Sequence, residues 1–184
     1  MKITAVLCLA LFSAGSTFAQ NPPAPAPVDT TTMFAIASQA VAVRIGGQSV
    51  PGTDVIGTYA VTKHVSVRSD NLLAPGNNLQ LYGAGFNWRL PLGGLISKTN
   101  LPKNTFEPYL TGTIGIVRNV PAAGAVTQRY AGLVGGGVNY DPAGTGRFTI
   151  NLVEVRAADL PGFGKHPWGA TVSVGIKLGL WQKQ

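Results

Sequence analysis

The chain has few residues whose type and spacing could support catalysis or metal binding. Ser69-Asp70-Asn71 matches one of three sequence elements of penicillin-recognising enzymes, but neither an SxxK nucleophile motif nor a KTG element accompanies it. No GxSxG elbow and no HExxH zinc motif occurs, and His64 and His166 lie about a hundred residues apart without nearby ligand partners. We therefore expect a protein that is not an enzyme and has no metal site.

Two glycine clusters, Gly83-Ala84-Gly85 and Gly135-Gly136-Gly137, could suggest loops that hold phosphate groups. A dinucleotide-binding fingerprint requires a strand, the GxGxxG sequence and then a helix. Neither cluster is followed by a helical pattern of apolar residues, so we expect no cofactor.

Charged side chains form a third candidate site, because several of them fall on the polar faces of segments in which apolar and polar residues alternate. Such faces could line an interior, where the charged side chains could either form a pathway for ions or fill the space as mutually neutralising pairs. We favour the filling, since unpaired charges in a narrow interior would be costly. Asp70 shares these faces, and the predicted lumenal ion network consists of Arg44, Arg68, Arg89, Glu154, Arg156 and Lys177.

The elements that must position these side chains are predicted to be strands. A short link, Thr62-Lys63-His64, requires an antiparallel hairpin, and Glu154 and Arg156 share their parity with Leu152, which requires a bulge or a mixed face. Alternation and turn residues divide the chain into eight segments. They cover residues 33–45, 52–61, 65–73, 79–90, 105–118, 129–140, 146–157 and 169–181.

The N-terminal residues are predicted to be removed on export. Residues 1–19 have one Lys, a short apolar stretch and then small residues, which is the pattern of a cleaved secretory signal peptide, so we expect a mature chain from Gln20 without cysteine. Residues 20–32 are rich in Pro, Ala and Thr and should form an extended spacer. Residues 33–184 then form one domain.

Composition favours an all-β membrane protein over a soluble one. Charged residues make up 11% of the chain, against roughly 25% in typical soluble domains, and no apolar run after the signal is long enough for a spanning helix. A soluble β-sandwich would turn the apolar face inward, whereas a membrane barrel would turn it to lipid and fill its lumen with small polar residues. In the first segment this predicts Val41, Val43 and Ile45 outside and Arg44 inside.

Aromatic residues near the segment ends could form the interfacial girdles of such a barrel, although single aromatics are also ordinary core residues. The predicted girdle residues are Tyr59, Trp88, Tyr109, Tyr130, Tyr140, Trp168 and Trp181. In the last long connection, Phe163, Lys165, His166 and Trp168 form an aromatic-basic group that could contact anionic headgroups.

In this order, the segments GTYAVTKHVSVR, EPYLTGTIGIV, YAGLVGGGVNY, INLVEVR and the alternating last strand resemble the small OmpA-like and OmpX-like outer-membrane β-barrel proteins over residues 33–181. The resemblance implies an eight-stranded antiparallel up-and-down transmembrane β-barrel whose final strand is read by the barrel-assembly machinery. Here Trp181 is followed by three polar residues and has the opposite parity from Leu178 and Leu180. We also expect no peptidoglycan-binding domain after the barrel.

The resemblance implies a non-enzymatic protein of the cell outer membrane, with a role in envelope structure or surface interaction. Its partners would be outer-membrane lipids, lipopolysaccharide and the assembly machinery, and it would be a monomer. Nucleic acid is not an expected partner, because the 14 Lys and Arg residues are scattered singly rather than clustered. The alternative is a soluble periplasmic or secreted β-sandwich or lipocalin-like protein that binds an apolar ligand.

Overall fold

Eight long strands follow one another along the chain. The computed structural model describes residues 31–90, 106–163 and 168–183. The strands are β1 (Thr31–Ile45), β2 (Gln48–Ala60), β3 (Val65–Ala74), β4 (Leu79–Arg89), β5 (Phe106–Asn119), β6 (Thr127–Tyr140), β7 (Phe148–Asp159) and β8 (Trp168–Lys183). All eight predicted segments are therefore strands. The predicted signal peptide, most of the spacer, Lys165 and His166 lie outside the described residues.

The strands close into an up-and-down barrel. Each strand pairs antiparallel with the next one in the chain, and β8 pairs with β1. The hairpin predicted at residues 62–64 joins β2 to β3. Both termini of the barrel lie at one end, together with the strand ends that residues 61–64, 90–105 and 141–147 join, and we call this the termini end. The strand ends that residues 46–47, 75–78, 120–126 and 160–167 join lie at the opposite, far end.

The barrel is apolar outside and charged inside, which is the reverse of a soluble domain. The outer face exposes long rows of aliphatic residues, for example Val172, Val174 and Ile176 on β8, while Arg68 and Glu154 are fully buried in the lumen. An outward apolar band around a polar interior is the arrangement of a transmembrane β-barrel. No helix among the described residues is long and apolar enough to span a membrane.

The far half of the lumen is apolar, in contrast to the uniformly polar interior that the alternation predicted. Aliphatic side chains from six strands fill it, and Leu160 and Phe163 from the β7–β8 connection pack against them. Phe163 is thus a lumenal residue and not part of an aromatic-basic surface group. The cluster consists of Val41, Val43, Ile45, Leu72, Ala74, Leu79, Leu81, Val117, Ala131, Leu133, Ala158, Leu160 and Phe163.

The apolar half of the lumen also explains why the predicted orientation of β1 is wrong. Val41, Val43 and Ile45 are buried inside, and Arg44 is exposed on the outer face. Gln39 points inward, where its Oε1 accepts a hydrogen bond from Ser173 Oγ at 2.8 Å. Because side chains alternate along a strand, the other odd-numbered residues from Ala35 to Ile45 point inward with it. The small outward residues of β1, such as Ala40 and Ala42, made its two faces similar in hydropathy.

Two bulges re-aim side chains at the termini half. In β7 the register with β8 shifts between Asn151 and Glu154, so both of these residues face the lumen although they are three positions apart. Of the two alternatives left open for β7, a bulge or a mixed face, the structure has the bulge. In β8 the register with β1 shifts at Phe34, and Leu180 and Trp181 are both exposed on the outer face. Trp181 therefore faces outward despite its parity.

Closely approaching strands explain some of the glycines. A Cβ atom on Gly85 of β4 would lie 1.9 Å from the backbone oxygen of Gly112 on β5, closer than any real Cβ contact. Gly132 on β6 is different, because its nearest neighbour would be the Thr113 oxygen at 4.0 Å. The first glycine is required by the packing of β4 on β5, and the second is not.

We predict that Gly85→Ala destabilises the barrel by about 1–3 kcal/mol, since backbone must move to admit the methyl group. The matched control Gly132→Ala should be neutral or stabilising by up to about 1 kcal/mol, because alanine restricts the unfolded chain equally at both positions. Urea unfolding of the refolded protein in detergent micelles measures both. Equal midpoints for the two variants would contradict the prediction.

Candidate functional site

A buried network of ion pairs lies at the middle of the lumen. Arg68 on β3 binds Asp70 on the same strand (Nη2–Oδ1 2.6 Å) and Glu154 on β7 through two parallel contacts of 2.7 and 2.8 Å. Arg156 on β7 binds Asp70 (Nη1–Oδ1 2.7 Å) and Glu154 (Nε–Oε1 3.1 Å). The two guanidinium groups are thus joined through shared carboxylates.

Asp54 on β2 completes the network. Its Oδ2 accepts a hydrogen bond from Arg156 Nη2 at 2.7 Å, and its Oδ1 accepts one from the backbone N–H of Asn71 at 3.2 Å. Hydroxyl groups occupy further positions around the charges: Thr113 donates to Asp70 at 2.7 Å, and Thr171 accepts from Arg156 Nε at 3.2 Å. The network therefore ties together five strands, β2, β3, β5, β7 and β8.

Tyr109 extends the network towards the termini end and corrects a prediction. It is buried in the lumen rather than exposed in a girdle, and its hydroxyl donates a hydrogen bond to Glu154 Oε2. The same hydroxyl accepts from Asn151 Nδ2 at 2.7 Å, and Asn151 also donates to Asn139 Oδ1 at 3.1 Å. A tyrosine suits this position because its apolar ring can be buried while its hydroxyl forms hydrogen bonds.

The chemistry available to this network is charge neutralisation. Two arginines face three carboxylates, Asp54, Asp70 and Glu154, and each carboxylate has an arginine within 2.8 Å. Burying charges without partners would cost several kcal/mol for each ion, by order of magnitude. Within the described ranges no group of three His, Cys, Asp or Glu side chains is arranged to hold a metal ion.

A second, smaller charged group lies at the termini-end mouth of the lumen. Arg89 on β4 pairs with Glu107 on β5 (Nη2–Oε2 3.2 Å), and the arginine side chain is 49% exposed. Lys177 on β8 points into the same region and lies near this pair. These groups line a cavity of about 80 Å³ that opens at the mouth.

The structure thus divides the predicted lumenal ion network into three groups. Arg68, Glu154 and Arg156 are brought together, Arg89 and Lys177 lie at the mouth, and Arg44 is outside the barrel. The prediction omitted Asp54 and did not include Tyr109 or Asp70 in the network. The available signal was parity, since Asp70 and Tyr109 share the polar faces that carry Arg68 and Thr111.

The other predicted girdle residues lie on the outer face near the two ends. Tyr59, Trp88, Tyr140 and Trp181 are close to the termini end, where Tyr140 packs against Phe106 with ring centroids 5.0 Å apart, and Tyr130 and Trp168 are close to the far end. Tyr130 and Tyr140 mark both levels on β6. At a rise of about 3.3 Å per residue and a tilt of about 40°, ten residues of strand span roughly 25 Å, the height of an outer-membrane apolar band.

Comparison with solved structures finds small outer-membrane barrels. Neisserial surface protein A (NspA) has 14% sequence identity to the chain and a TM-score of 0.57, with 83% of this chain and 100% of NspA covered. The N-terminal β-barrel domain of Pseudomonas aeruginosa OprF has 14% identity and a TM-score of 0.51, with 78% and 97% covered. The outer membrane enzyme PagL has 10% identity and a TM-score of 0.45, with 78% and 98% covered.

No protein-family model matches the sequence, and a search of curated proteins finds no significant relative. The likeness is thus one of fold. The chain has the fold of the small eight-stranded outer-membrane β-barrels, as the resemblance predicted.

We predict that Arg68→Gln lowers the free energy of unfolding by about 3–5 kcal/mol, because it leaves buried carboxylates without their partner. The matched change at the exposed pair, Arg89→Gln, should cost no more than about 1 kcal/mol. Urea unfolding in detergent micelles, followed by the electrophoretic shift of the folded barrel, compares them. Similar losses for both variants would show that the buried network does not dominate stability.

Proposed function

We propose that the chain is a non-enzymatic protein of the bacterial outer membrane, with a filled lumen and a role in envelope structure or surface interaction. The observation that carries this proposal is the inverted polarity of the barrel: an apolar outer face and a lumen that buries Arg68, Arg156 and their carboxylates. An apolar outer face of this kind is stable in contact with the hydrocarbon core of a membrane. The termini end would face the periplasm, as expected for an exported chain.

The far end offers positive charge to the outer leaflet. Arg44 on β1 and Arg118 on β5 occupy outward positions within two residues of their strand ends, at the level of the aromatic rings of Tyr130 and Trp168. Guanidinium groups at this level can pair with lipid phosphates. Lipopolysaccharide is therefore our proposed lipid partner, the assembly machinery is the proposed partner during insertion, and the barrel is proposed to act as a monomer.

A soluble lipocalin-like binder is less compatible with the interior. Such a protein needs an apolar cavity, whereas the apolar half of this lumen is packed by buried side chains such as Leu81, Val117 and Leu160. A β-sandwich is ruled out by the closed topology.

A broad solute channel is also incompatible with the filling. The apolar cluster closes the far half, and the ion network closes the middle with contacts between opposite walls, such as Arg68 to Glu154. Eight strands enclose an interior just wide enough for side chains. We therefore propose that the protein acts through its outer surfaces and its ends, and not by conducting solutes.

Placing a charge on the outer face distinguishes a membrane barrel from a soluble one. Ile114, midway along β5, is 77% exposed. In lipid, Ile114→Arg should cost about 2–4 kcal/mol, whereas the control Val126→Arg, in a far-end connection, should cost no more than about 1 kcal/mol.

The readout is the yield of folded protein in the outer-membrane fraction, detected as a band that shifts when the sample is boiled. We expect a strong loss for Ile114→Arg and little change for Val126→Arg. If wild type is instead released with the soluble periplasmic proteins, and Ile114→Arg has no effect, membrane insertion is wrong.

Planar-bilayer recordings test the filled lumen separately. Wild-type protein should show no steady openings at the nanosiemens level, because both the apolar cluster and the ion network block the axis. The variant Arg89→Ala should behave like wild type, since Arg89 lies at the mouth and not in the blocked middle. Long-lived nanosiemens channels in wild type would contradict this prediction while leaving insertion into the membrane intact.

A further inference from the structure

The termini-end mouth contains more positive charge than its described partners neutralise. Lys177 reaches in from β8, Lys63 lies in the β2–β3 turn, and Arg89 stands on β4. The nearby carboxylates are already engaged: Glu107 pairs with Arg89, and Asp141 accepts hydrogen bonds from the backbone N–H groups of its own turn. Neither lysine forms an ion pair within the described part of the chain.

The cavity between these groups is polar and preformed. Thr62 Oγ1 accepts hydrogen bonds from the backbone N–H groups of His64 (3.2 Å) and Val65 (3.0 Å), and the His64 oxygen accepts one from Arg89 N at 2.7 Å. The turn is therefore fixed to β4. His64 lines the cavity, and its Nδ1 has no hydrogen-bond partner among the described residues.

We propose that this mouth binds a single small anionic group of the phosphate class. Its volume of about 80 Å³ is far below that of pockets for drug-sized ligands, roughly 300–1,000 Å³, so only one compact group fits. Lys177 and Lys63 supply charged donors, and Arg89 adds a planar donor group whose pairing with Glu107 leaves it half exposed. Walls of low dielectric strengthen the attraction of an anion into such a recess.

The charged side chains that line the mouth favour an anion over a cation. Among the described residues, three cationic side chains line it, Lys63, Arg89 and Lys177, against one carboxylate, Glu107, which pairs with Arg89. The three carboxylates of the deeper network are bound to Arg68 and Arg156 and do not line the mouth.

The site can be tested with inorganic phosphate on the full-length barrel, refolded in an uncharged detergent at low salt. Phosphorus NMR or calorimetry should give a Kd of about 1 mM or below, as expected for two or more charge-assisted hydrogen bonds. Lys177→Met keeps the length of the side chain and should weaken binding about tenfold. Lys63→Gln, in the exposed turn, should weaken it by about twofold to fivefold even if Lys177→Met folds poorly.

The matched control is Arg129→Gln, which removes one exposed positive charge near the far end and should leave the affinity unchanged. Absence of phosphate binding in wild type overturns the proposal. So does an equal loss in Lys177→Met, Lys63→Gln and Arg129→Gln, which would indicate attraction by overall charge. Competition by a soluble short-chain phosphatidylglycerol would support a headgroup as the source of the phosphate, and phosphate binding without such competition would support a free anion.

Discussion

The structure depends on the requirement that charges inside an eight-stranded barrel be paired. The interior is only wide enough for side chains, so water cannot solvate an arginine at its middle. Arg68 and Arg156 are tolerated there because Asp54, Asp70 and Glu154 surround them on three strands, β2, β3 and β7. The partners are up to 102 residues apart in the chain, so the network forms only when the barrel has closed. The ion pairs thus stabilise the closed, correctly registered barrel, in which each of these charges is buried with a partner.

The bulge in β7 is the local feature that makes this pairing possible. Without the register shift between Asn151 and Glu154, strict alternation would place one of the two on the lipid side. With the shift, Asn151 donates a hydrogen bond to the Tyr109 hydroxyl, and Glu154 accepts one from Arg68. Both side chains therefore reach the lumen from the same strand. The irregular alternation of β7 in the sequence therefore marks a bulge that places Asn151 and Glu154 in the network.

The strands, the hairpins and most of the faces could be predicted from the sequence, because alternation and turn residues act locally. The orientation of β1 could not, since its outward Ala40 and Ala42 are hardly more polar than its inward Val41 and Val43, and only the neighbouring strands decide. Tyr109 was assigned to the wrong side because an aromatic ring suits both a membrane interface and a buried network, although its parity indicated the lumen. The role of Asp54 could not be predicted from its local sequence, because its partner Arg156 lies on β7, which is not adjacent to β2.

The two halves of the lumen differ in polarity, so the two ends of the barrel are not equivalent. The far half is closed by aliphatic side chains and by Phe163, which folds in from the β7–β8 connection, so nothing polar can enter from that side. The termini half is polar and open at its mouth, and its floor is the Tyr109–Glu154 hydrogen bond. We therefore propose that a solute from the termini side reaches the mouth without passing further, and that a molecule on the far side meets the connections and the rim. Communication between the two sides would have to break the buried ion pairs that hold the strands together, which is why any activity of this barrel is best sought at each end separately.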